Sequence, residues 1–177
     1  TGGATSTFGG AGIIGGSGNA STSDSLTIAN SVIKNNAANG SNQSRTNNPG
    51  GGIQFYGGSL TIDRSTISGN SSFSSAGSGV AYEAEGVVSG ESLSVTGSTF
   101  SGNTSTSSGG SGAINSGALD LGGTATTPMT VTGSQFVGNT VTASTAGAAG
   151  AAIRQRGGVL AVSGSTFTGN TVSGNPV

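Results

Sequence analysis

Apolar and polar residues alternate in short phrases that recur down the chain: Leu26-Thr27-Ile28, Leu60-Thr61-Ile62, Leu93-Ser94-Val95, Met129-Thr130-Val131 and Leu160-Ala161-Val162. Each is followed by a phrase ending in Asn: Ser31 to Asn36, Ser65 to Asn70, Ser98 to Asn103, Ser134 to Asn139 and Ser165 to Asn170. From the leading Leu or Met to that Asn is ten residues every time (36−26, 170−160), and successive terminal Asn residues lie 34, 33, 36 and 31 positions apart. Alternation at period two is the signature of a strand with one buried face, and no window carries an i, i+3, i+4, i+7 stripe. Upstream lies a third, Gly-rich phrase: Gly12-Ile13-Ile14, Gly51-Gly52-Ile53, Gly79-Val80, Gly112-Ala113-Ile114 and Ala151-Ala152-Ile153. Its distance to the next Leu or Met varies from seven residues (60−53) to fifteen (129−114), which places the variable turn there.

Three β-type phrases per repeat predict three short strands per coil. One such coil cannot bury its apolar face alone, whereas stacked coils place each strand about 4.8 Å from its counterpart in parallel sheets. The expected fold is all-β: a right-handed parallel β-helix (β-solenoid) of about five coils, one domain over residues 1–177, with coils at roughly 8–36, 50–70, 79–103, 112–139 and 150–170. By the strand spacing the rod is roughly 25 Å long.

Alternation also assigns the inward positions. Leu26, Leu60, Leu93, Met129 and Leu160 form one ladder; Ile28, Ile62, Val95, Val131 and Val162 a second; Ile33, Ile67, Phe100, Phe136 and Phe167 a third. Asn36, Asn70, Asn103, Asn139 and Asn170 read as an inward structural ladder, each amide bonding its own turn and the Asn one coil away. Gly69, Gly102, Gly138 and Gly169 precede it where the corner needs unusual backbone angles.

The pairing of Gly-Gly-Ala-Ile-like phrases with Phe100 to Asn103, Phe136 to Asn139 and Phe167 to Asn170 resembles the repeats of chlamydial-type polymorphic outer membrane proteins and related bacterial surface β-helices. The resemblance implies an adhesive or structural passenger domain displayed outside the cell.

Composition narrows the chemistry. With 31% hydrophobic residues, 5% aromatics and 36 Gly, burial must come from many thin layers instead of one large core. A net charge of −1, from 5 basic and 6 acidic side chains, supplies no field for nucleic acid. No apolar stretch is long enough for a membrane span. With no Cys and no His, disulfides, thiolate metal sites and imidazole catalysis are excluded, and no cofactor or metal site is expected. The acids Asp24, Asp63, Asp120, Glu83, Glu85 and Glu91 fall in different repeat registers. Glu83 with Glu85, and Arg154 with Arg156, each share a strand face, but two strand spacings, about 10 Å, are expected to keep the pairs from a direct bond. Sequons at Asn70 and Asn103 fall on the ladder; those at Asn19, Asn39 and Asn42 fall in loops and suit glycosylation better.

The outward residues of the second phrase are more regular. Thr27, Thr61, Ser94 and Thr130 form one column, Thr96 and Thr132 part of the next, so that hydroxyls and methyls at β spacing present a candidate binding face. Thr is also simply a good exposed strand residue. Neither end carries a capping helix, so the ends are expected to meet further copies, or the rest of a longer chain. The resulting reading is a noncatalytic extracellular structural or adhesive solenoid that stacks head to tail into a filament. Ice binding through the Thr/Ser face is the alternative, followed by a polysaccharide lyase or hydrolase. Expected partners are thus copies of itself and a surface glycan, host receptor or ice.

Overall fold

The computed structural model describes residues 4–5, 12–16, 24–38, 50–73, 77–84, 90–107 and 116–176. Its strands lie in four parallel sheets, here called faces 1 to 4 in the order the chain visits them. Face 1 holds β2 (Ile13–Gly15), β6 (Ile53–Tyr56), β10 (Val80–Glu83), β14 (Leu119–Gly122) and β18 (Ile153–Gln155). Face 2 holds β3 (Ser25–Ala29), β7 (Ser59–Asp63), β11 (Ser92–Thr96), β15 (Pro128–Thr132) and β19 (Val159–Ser163). Face 3 holds β4 (Val32–Lys34), β8 (Thr66–Ser68), β12 (Thr99–Ser101), β16 (Gln135–Val137) and β20 (Thr166–Thr168). Face 4 holds β1 (Ala4–Thr5), β5 (Ala37–Ala38), β9 (Ser71–Phe73), β13 (Thr104–Ser107), β17 (Thr140–Ala148) and β21 (Thr171–Pro176). Every strand neighbours its counterparts one repeat away, which makes the chain a parallel β-solenoid.

Three expectations need correction. The coil has four sides, not three, because a strand also follows each Asn corner. Its inward residues begin with Ala38, Ser72 and Ser105, too small and polar to mark an apolar alternation, and become Val141 and Val172 only later. Unbroken four-sided turns run over 50–73, 116–148 and 150–176, so about three complete coils are described in place of five; the strands within 12–38 and 77–107 join the same sheets with gaps between them. In the fourth repeat the strand of face 1 is β14, led by Gly117-Ala118, ten residues before Met129 (129−119). The phrase Gly112-Ala113-Ile114, expected in that role, lies outside the described residues.

Registers place like on like. Leu60, Leu93 and Met129 align, as do Ile62, Val95 and Val131, all buried. Phe100 stacks on Phe136 and Phe136 on Phe167, each with centroids 4.9 Å apart and rings within 7° of parallel, a spacing imposed by the strands and suited to aromatic contact. Two columns of left-handed residues turn the chain. Asn30, Arg64, Gly97, Gly133 and Gly164 stand between faces 2 and 3; Asn35, Gly69, Gly102, Gly138 and Gly169 stand between faces 3 and 4. Asn, which tolerates positive φ better than other side chains, replaces Gly in the first repeat.

Truncating Phe136, which is stacked on both sides, should cost about 3–5 kcal/mol in urea unfolding, while Thr132→Ala on an exposed position should stay within about 0.5 kcal/mol. Equal costs would mean that the inward and outward positions are misassigned.

Candidate functional site

Two polar ladders run along the corners that flank face 3, Ser between faces 2 and 3 and Asn between faces 3 and 4. Along the Asn column, the backbone N–H and side-chain amide of each Asn donate to the Oδ1 of the next: 3.1 and 2.8 Å from Asn36 to Asn70, 3.1 and 3.1 Å to Asn103, 3.1 and 2.9 Å to Asn139, 3.1 and 2.8 Å to Asn170. The second amide hydrogen points back to a carbonyl of the preceding coil, for example Asn103 Nδ2 to Ile67 O at 3.0 Å. Asn70, Asn103 and Asn139 are fully buried, and these bonds use both hydrogens and the oxygen of each amide, leaving nothing for a ligand. The same burial closes the sequons at Asn70 and Asn103, while Asn19, Asn39 and Asn42 lie outside the described residues. A parallel Ser ladder is built from the Ser that opens each of the five Asn phrases. The N–H of Ser31, Ser65, Ser98 and Ser134 donates to the Oγ of the Ser one coil on, at 3.1–3.2 Å. Each of those hydroxyls also donates within its own turn, as Ser98 does to Thr96 O at 2.9 Å.

The candidate hydroxyl face lies on face 2, where Thr27, Thr61, Ser94 and Thr130 align in one column and Thr96 aligns with Thr132 in the next. The first column ends at Ala161, and the second begins with Ala29 and Asp63, the latter ion-paired with Arg64 at 2.7 Å. A more regular array, missed in the sequence, lies on face 4. There Ser71, Thr104, Thr140 and Thr171 align after Ala37, as do Thr106, Thr142 and Ser173 after Phe73, with no charged residue in either column. Thr140 Oγ1 donates to Thr104 Oγ1 at 3.2 Å, and the Thr142 and Ser173 hydroxyls are 3.1 Å apart. It escaped notice because the strand itself did.

Charge gathers on face 1. Asp120, its side chain 1% exposed, accepts from Arg156 Nε at 2.7 Å and from Arg154 Nη1 at 3.3 Å, and Arg156 Nη2 also pairs with Glu83. The expectation that Glu83 and Arg156 are too far apart is therefore wrong. Gly122 stands between them in the register, and a Cβ there would lie 2.1 Å from Glu83 Oε2, so its missing side chain is the notch through which the carboxylate crosses a whole coil. Glu85 lies outside the described residues. Burial lowers Arg154 below the ordinary arginine range, against the pull of Asp120. Burial acts on Arg156 in the same sense, but Asp120 and Glu83 together outweigh it and raise the net value. Two guanidiniums and two carboxylates neutralise one another, and among the described residues no group of three or more acids forms a metal site.

The two ends of the core differ. At the near end Ile28 and Ile33 are buried, beside a cleft of about 330 Å³ lined by Gly12, Ile13, Val32, Ile33, Lys34 and Asn36. In the last turn the ladder residues Val162, Phe167 and Val172 are 44%, 48% and 43% exposed.

No family model matches the chain, and neither a curated protein nor a solved structure matches it. The likeness to polymorphic outer membrane repeats thus rests on the phrases alone, beside a fold that is plainly a β-solenoid.

Inside the core, Tyr82 is buried and donates to Gly58 O at 2.9 Å; burial and the charge of Glu91 push its phenol well above its ordinary value. Below about pH 10 Tyr82 is neutral folded and unfolded alike, and its contribution is fully present; above that the unfolded chain ionises first and stability falls. Melting temperatures above about pH 10 should therefore decline less steeply in Tyr82→Phe, and an unchanged slope would contradict the assigned environment.

Proposed function

We propose that the chain is a noncatalytic structural or adhesive β-solenoid that works outside the cell. The observation that carries this reading is the saturation of the buried Asn ladder and of Asp120: Asn70, Asn103 and Asn139 use their amides on neighbouring coils, and the Asp120 carboxylate buried on face 1 is held by two arginines. Groups so engaged stiffen a rod and leave no general base poised over a substrate groove. The extracellular location rests on the resemblance of the Phe-x-x-Asn phrases to surface repeats.

Ordered-water or ice binding is the second reading, favoured by the uncharged hydroxyl columns of face 4, whose Thr140 and Thr142 hydroxyls are already tied to neighbouring coils. Rigid hydroxyls at strand spacing reduce the entropy lost when water orders over them.

One pair of measurements separates the readings. Against a panel of polysaccharides the structural reading expects no turnover, with Glu83→Gln costing about 1–3 kcal/mol of stability through the lost charged bond. It also expects no thermal hysteresis. Turnover that Glu83→Gln abolishes in a folded protein would overturn it in favour of an enzyme, and hysteresis lost in Thr142→Lys would overturn it in favour of ice.

A further inference from the structure

We infer that the fourth strand of face 1 has two registers. The segment Ser111 to Gly117 replaces Ser116 to Gly122 by a slip of five residues, and the charge of Asp120 is the latch that holds the chain in the register described above.

The first observation is a repeat within the repeat. Ser111-Gly112-Ala113-Ile114-Asn115-Ser116-Gly117 and Ser116-Gly117-Ala118-Leu119-Asp120-Leu121-Gly122 agree at four of seven positions, and two of the other three exchange Ile for Leu and Asn for Asp. Residues 111–115 lie outside the described residues; the seat they would take is that of β14 and the corner before it. The agreement falls where that seat is least forgiving. A Cβ at Gly117 would lie 1.9 Å from Ala151 O, and one at Gly122 would lie 2.1 Å from Glu83 Oε2. Gly112 and Gly117 meet those two demands after the slip. Ala118 is fully buried, and the Ser116 hydroxyl donates to Leu119 O at 2.8 Å. Ala113 and Ser111 bring the same side chains to those places. Because a glycine fills the notch either way, Glu83 keeps its path to Arg156 in both registers.

The second observation is the length of chain on each side. As described, Leu119 stands sixteen residues after Asn103 (119−103) and ten before Met129 (129−119). With Ile114 in its place the steps become eleven (114−103) and fifteen (129−114). The third repeat already joins the same faces with ten (80−70) and thirteen (93−80), and the second with seventeen (53−36) and seven (60−53). Both ways of dividing the slack are therefore in use within one rod. The slip passes five residues from the approach to face 1 into the turn onto face 2, and it leaves the alternation of inward and outward places intact.

The third observation is what differs between the two segments. Leu121 is fully buried in the column of Phe55 and Tyr82, where the slip would put the hydroxyl of Ser116. Asp120 accepts from Arg154 and Arg156, whereas Asn115 keeps an acceptor oxygen but no charge. Both differences favour the described register, so the slipped one is a minor state. The charge is the stronger lever, because an arginine taken from water is held in place only while its carboxylate partner is there.

The test traps the slipped register covalently. The chain has no Cys, so an engineered pair is unambiguous. Opposite Ala81 stands Asp120 as described, and Asn115 after the slip. Strand neighbours about 4.8 Å apart lie within the roughly 4.4–6.8 Å span of a disulfide. Ala81→Cys with Asn115→Cys, oxidised in air and followed by mass spectrometry, therefore reports the slip as a rate of crosslinking. Adding Asp120→Asn should raise that rate about tenfold, and adding Leu121→Ser as well should raise it further. Ile114→Asp, which sets a charge in the core only after the slip, should return the rate to its starting value. Circular dichroism checks that each variant keeps its sheets; if Leu121→Ser does not, Asp120→Asn with and without Ile114→Asp decides. A rate unmoved by Asp120→Asn in the folded protein, or a raised rate that survives Ile114→Asp, would overturn the two-register strand.

Discussion

The amide ladder of the third corner is the constraint on which the rest depends. A thin solenoid has little core to spend on holding its turns, and each turn brings a bend whose backbone groups leave the sheet. The Asn side chain meets both needs. Its oxygen receives the N–H and amide of the previous coil, and its own amide returns to the carbonyl three residues before the earlier Asn, as from Asn103 to Ile67. A corner that would bury unsatisfied polar groups becomes a column of charge-free hydrogen bonds whose spacing equals that of the strands. Once the corner is fixed, the ten residues before it cannot slip. A shift by one position would turn Leu93, Val95 and Phe100 outward and leave their columns empty.

The inward ladders were legible because period-two alternation and the constant ten-residue step carry the same information twice. What could not be read had no apolar mark. The strands of face 4 are built from Ala, Ser and Thr, and their inward residues Ala38, Ser72 and Ser105 look no different from loop residues. Two near-identical phrases, at 112–114 and 117–119, compete for one role in the fourth repeat, and only pairing with Val80 and Ile153 selects Leu119. The corner between faces 2 and 3 is hidden because Asn30, Arg64 and three glycines share a backbone angle and not a side chain.

The charged site was illegible for a different reason. Asp120, Arg156 and Glu83 come from three successive repeats joined by segments of unequal length, so their meeting depends on register that no local pattern expresses. The absent side chain of Gly122 is what lets Glu83 reach Arg156, and a missing atom leaves no signature in a scan for functional groups. The hydroxyl columns of face 4 follow the same logic, since they become a surface only when Thr104, Thr140 and Thr171 are known to be neighbours.

The central claim, that the amide ladder holds the coils together, is tested most directly by equilibrium unfolding of Asn103→Ala. This substitution removes the acceptor of Asn70 N–H and amide and the donor to Ile67 O at a fully buried site. Each orphaned group costs about 1–3 kcal/mol, so the loss should be at least about 3 kcal/mol in a rod that unfolds cooperatively. A loss below about 0.5 kcal/mol, with the fold retained, would contradict the account.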